Sequence, residues 1–86
     1  MKTKDKEYES IIQELRDVAG LKDIKIRFEK GDFSGGYCIL KTERVIIINK
    51  NTSLKRKAIV IAMALKEIGI EDIYVNPKIR EIIEED

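Results

Sequence analysis

The residues with the most chemical potential in this chain are few and scattered. Cys38 is the only thiol. Lys55, Arg56 and Lys57 form a basic triplet, with Lys50 five residues earlier. Glu67, Glu71 and Asp72 form a loose acidic group. Gly31, Gly35 and Gly36 punctuate a short polar segment. The chain has no His, which removes His-based triads, His general bases and His-ligated metals. A thiolate nucleophile needs a base or a positive neighbourhood. Cys38, between Tyr37 and Ile39, has neither beside it in sequence, so a structural thiol is the expectation and an enzyme acting through it the remote alternative. One Cys also excludes an internal disulfide. The three carboxylates would suit at most a weak cation site. The Gly31–Gly36 segment fits neither the dinucleotide fingerprint nor a Walker loop, since a strand and no G-K-[S/T] follows; it is a loop whose glycines supply positive φ, or a nest for an anion.

The basic residues Lys50, Lys55, Arg56 and Lys57 are the anion-binding candidates. The triplet falls in the first turn of a helix, where cations oppose the helix dipole and free amides attract phosphate. The charge distribution supports a patch: residues 41–57 carry six cations against Glu43, residues 67–86 carry seven anions against Lys78 and Arg80, and the net charge is +1. A nucleic-acid or phosphate binder is therefore an alternative function, although no aromatic residues interleave the cations to stack bases.

The elements that must position these residues follow from periodicity. Tyr8, Ile11, Ile12, Leu15, Val18 and Ala19 form one stripe of a helix over about 5–19, with Gly20 as its stop. Ile24, Ile26 and Phe28 alternate with Lys25, Arg27 and Glu29, giving a half-buried strand. Tyr37–Lys41 is a second strand, and Lys41–Arg44 a polar hairpin turn. Val45–Ile48 is all β-branched, which suits a central strand over 45–49 covered on both faces. A second helix over about 53–68 starts at Asn51, Thr52 or Ser53 and ends before Gly69. Asn76-Pro77 opens a short third helix with Ile79, Ile82 and Ile83 inward.

The second helix is apolar from Ala58 to Leu65. One face, with Leu54, Ala58, Ile61, Ala62, Leu65 and Ile68, can pack on the sheet. The opposite face, with Ile59, Val60, Met63 and part of Ala64, needs cover from the first helix, the C-terminal segment or another chain. The expected fold is α+β: one 86-residue domain with a three-stranded mixed sheet and helices mainly on one face. The charged N-terminus and the lack of a membrane-length apolar run lead us to expect a cytoplasmic protein that does not insert in membranes.

This element order resembles the core of the zincin-like ImmA/IrrE-type metallopeptidases over residues 31–69. The resemblance rests on the glycine loop, the hairpin strand, the strand Val45-Ile46-Ile47-Ile48-Asn49, the polar turn Asn51–Lys57 and the following helix. The family's A-H-E-L-G-H falls on Ala62-Met63-Ala64-Leu65-Lys66-Glu67. Ala62 and Leu65 match, while Met63 and Glu67 stand in place of the zinc-binding His residues and Ala64 in place of the general-base Glu. The resemblance therefore implies a zincin-like scaffold without zinc or other cofactor and without peptidase activity. It also implies a cleft between edge strand and second helix with Met63, Ala64 and neighbouring apolar residues at the former zinc site, which reads as a binding groove, a homodimer contact or a filled core. The all-round apolar second helix makes Tyr37, Ile39, Met63, Ala64 and Tyr74 the candidates for a groove that takes a protein partner or a second copy. The GDF-x-GG loop is also similar to that of short uncharacterised bacterial proteins.

Overall fold

The computed structural model describes residues 2–33, 35–40 and 43–85, with the side chains of 2–4 and 38–40 outside the description. Helix α1 spans Lys2–Leu21, strand β1 Lys25–Glu29, β2 Gly35–Leu40 and β3 Glu43–Asn49. Helix α2 spans Leu54–Ile68 and α3 Pro77–Glu84. The sheet order is β1-β3-β2, with β1 parallel and β2 antiparallel to the central β3. The α+β class, the mixed three-stranded sheet, the central strand and the three helices agree with the sequence reading. The turn residues Lys41 and Thr42 lie outside the described residues, whereas Glu43 and Arg44 belong to β3.

The helices cover one face of the sheet. Ile24 from the α1–β1 connection and Ile46 and Ile48 from β3 join Leu15, Ile61, Leu65, Ile79 and Ile83 in one buried cluster. Ile26 and Phe28 pack against it, with the Arg16 guanidinium 5.6 Å from the Phe28 ring centroid. The other face is covered less evenly: Val45 and Asn49 are buried there and Ile47 is half-buried, so β3 is covered in part on its second face as well. Val45 is fully buried but lies outside the main cluster.

Local chemistry sets the ends of the helices. Ser53 is the N-cap of α2, its hydroxyl accepting from the Arg56 N–H. Asn76 caps α3 by accepting from Lys78 N–H, with Pro77 in the first turn. Gly69, at φ 95°, ends α2 and donates to Leu65 O. Gly20 does not stop α1; the helix runs on to Leu21 and the chain turns at Asp23, whose φ is 61°. Aspartate tolerates this left-handed region better than most side chains, which lets the helix extend one residue past the glycine.

A polar cluster ties the helix connections to the sheet. Lys22 Nζ donates to Asp72 at 2.7 Å, and the Arg44 guanidinium donates to Lys22 O. Arg80 donates to Ile70 O and Ile73 O and pairs with Glu84 at 3.3 Å. The hydrogen bond from Lys22 holds the Asp72 carboxyl below its ordinary range, and that from Lys25 does the same for Glu43. Glu43 in turn raises Lys25. The lowered carboxylates stabilise the fold above their unfolded pKa values, and this is lost as pH falls through their folded ones. The raised Lys25 stabilises below its unfolded pKa, and this is lost as pH rises through its folded one. Because no His is present, little titrates between about pH 5 and 8. Urea midpoints are expected to agree at pH 5.5 and 7.5 and to fall below about pH 4. A midpoint that changes steeply across neutrality would contradict this.

Candidate binding groove

The groove between edge strand β2 and helix α2 is built from both elements. Gly35, Gly36 and Tyr37 form the strand side. Arg56, Val60, Met63, Ala64 and Glu67 form the helix side of a cavity of about 320 Å³. Gly35 gives the strand no side-chain bulk at its start, so Val60 approaches it closely. A Cβ on Gly35 would lie 3.2 Å from Val60 Cγ1. This contact buries Val60, and Ala64 is buried too, while Met63 stands 65% exposed. The face of α2 that the sequence left needing cover is thus covered at Val60 and Ala64 and open at Ile59 and Met63.

Of the groove residues expected from sequence, Tyr37, Met63 and Ala64 come together. The side chain of Ile39 lies outside the described residues, as does that of Cys38. Tyr74 does not join them. It is 80% exposed and lies beside Leu21 and Val75, between the end of α1 and the α2–α3 connection. Its place in the connection gave no indication of which side of α2 it would reach.

Met63 also lines a second hollow of about 520 Å³ between the three helices, with Tyr8, Ile11, Ile59 and Ile82, and with Lys55 and Glu85 at its rim. Met63 is therefore a ridge between two concave surfaces. The basic candidates diverge: Lys55 faces the helical hollow and Arg56 the β2 groove. Lys50 is exposed in the turn after β3, and Lys57 is half-buried. Successive helix positions are about 100° apart, so a triplet fans out instead of forming one patch. Among the described residues no cluster of three or more carboxylate or thiol groups is placed to hold a metal. Asp72 is engaged by Lys22, and Glu67 faces the groove.

Sequence reasoning missed two features. A third hollow of about 550 Å³ lies on the less covered sheet face around Arg27, Phe33, Gly36 and Ile47. Arg27 is paired there with Glu29 at 3.1 Å. Asn49 shapes this region from beneath, donating through Nδ2 to Gly31 O and Phe33 O at 2.8 and 2.7 Å. Its Oδ1 accepts from Asn51 N–H at 3.0 Å. The available signal was a lone amide closing an otherwise apolar strand.

No helix among the described residues is long and apolar enough to cross a membrane. Comparisons with protein-family models, curated proteins and solved structures give no significant match.

Proposed function

We propose that the chain is a non-catalytic binding or assembly module, and that the groove between β2 and α2 is its working surface. The observation that carries this reading is Met63, 65% exposed on the ridge that borders that groove and flanked by the buried Val60 and Ala64. Exposed Met63 and Ile59 together leave apolar surface in water beside concave surfaces, the kind of patch that marks an interaction site. On the zincin-like reading, positions 63, 64 and 67 are those where the family carries its two His and its Glu, and all three line the groove beside the antiparallel edge strand. Here they supply a thioether, a methyl group and one carboxylate, a donor set unsuited to zinc. The divergence of Lys55 and Arg56 favours this reading over a nucleic-acid or phosphate site.

Display of random peptides against the protein at nanomolar concentration, with M63D as counter-selection, tests the reading. Peptides held by the wild type and lost with M63D, or self-association lost with M63D, are the expected results. A strictly monomeric protein that selects no Met63-dependent peptide would overturn it.

A further inference from the structure

The geometry points to a second copy of this chain as the occupant of the groove, an inference that rests on the groove being a docking surface. Four groove residues of α2, Arg56, Val60, Met63 and Glu67, follow one another at spacings of four, three and four. They fall within about 60° of the helix circumference, a narrow seam of the kind helices use to pair. The seam is self-complementary. Turned end for end about a two-fold axis midway between Ile61 and Ala62, it sets Arg56 opposite the partner's Glu67 and the exposed Met63 over the partner's Val60, which is buried on the floor of the groove. The symmetry repeats both contacts.

Within one chain Arg56 and Glu67 lie about 16 Å apart along the helix and cannot meet. Among the described residues neither forms an ion pair. Opposite charges at the two ends of an apolar seam favour one antiparallel register and penalise the parallel one, which would bring like charges together. Ala64 beside the seam is small enough for close approach.

The edge strand supports the same occupant. Both β1 and β2 are sheet edges. Strand β1 carries Lys25, Arg27 and Glu29, charges of the kind that protect an edge from pairing. Strand β2, Gly-Gly-Tyr-Cys-Ile-Leu, has no charge and no proline. The unguarded edge is the one that borders the seam.

Sedimentation equilibrium on the full chain tests this, with circular dichroism to verify folding of each variant. The wild type is expected to show a monomer–dimer equilibrium. R56E and E67R should each weaken the dimer at least about tenfold, because each sets like charges together twice. Mixing the two variants should restore association as a heterodimer, since the two substituted positions then meet with opposite charges at one end and the unchanged Glu67 of one chain meets the unchanged Arg56 of the other at the second end. The doubly reversed protein should dimerise as the wild type does. A wild type that is monomeric up to high concentration, or a dimer indifferent to both reversals, would overturn the inference. If that monomer still selects Met63-dependent peptides, the docking surface stands and only its occupancy by a second copy fails.

Discussion

Replacing Gly35 with alanine is expected to destabilise the fold by about 3 kcal/mol and to lower Tm by roughly 12–24 °C. Gly35 sits at φ +108° where β2 begins, and a Cβ there would lie 2.6 Å from the backbone oxygen of Ile47. The left-handed backbone alone costs a side chain about 1–3 kcal/mol. The clash adds to it, because the oxygen belongs to the central strand and cannot rotate away. Against a total of about 4–13 kcal/mol for a chain of this size, the loss is a large fraction. Gly36 is the control. A Cβ there meets nothing within 4 Å, so G36A should stay within about 0.5 kcal/mol of the wild type. Thermal unfolding of both variants gives the comparison. A G35A protein that melts with the wild type would show that β2 does not run this close to β3 and α2.

The substitution N49D should cost about 3 kcal/mol at neutral pH, and less in acid. Asn49 is 8% exposed and donates to two loop carbonyls. A carboxylate there offers no proton to either oxygen and adds a negative charge beside both. Protonation restores one donor, so the introduced group has a folded pKa above its unfolded one. Its penalty is smallest below the unfolded pKa and grows as pH rises through the folded value. Urea denaturation at pH 4 and pH 7 reads the difference. Equal losses at both pH values would mean that the Asn49 amide is not what holds the Gly31–Phe33 turn.

Several features of the fold were legible in local chemistry. The α1 stripe, the alternation of 24–29 and the cap at Asn76 all follow from spacings within a few residues, and the structure realises each one; of the candidates Asn51, Thr52 and Ser53 it selects Ser53 to cap α2. Among the boundaries that moved, one shift is local and one comes from pairing across the sheet. Helix α1 passes Gly20, with nothing near enough to require a glycine there. Strand β2 starts at Gly35 instead of Tyr37, because Gly35 and Gly36 pair with Ile48 and Ile47 across the sheet. The candidate site was legible only in part. Tyr37, Met63 and Ala64 meet, while Tyr74 lies away from them beside Leu21 and Val75, and the basic triplet disperses.

The sequence by itself determined the element types, their order, the cap of α3 and the central position of Val45–Ile48, since periodicity and β-branching act over neighbouring residues. It also determined that His-dependent chemistry is absent from the chain. Only the tertiary structure decided which apolar residues of α2 remain in water. Helical periodicity makes Val60 and Met63 near neighbours on one seam, yet Val60 is buried and Met63 is exposed. Gly35, distant in sequence, has no side chain to hold β2 away from Val60, so the strand packs against Val60 at the groove floor while Met63 stays in the open.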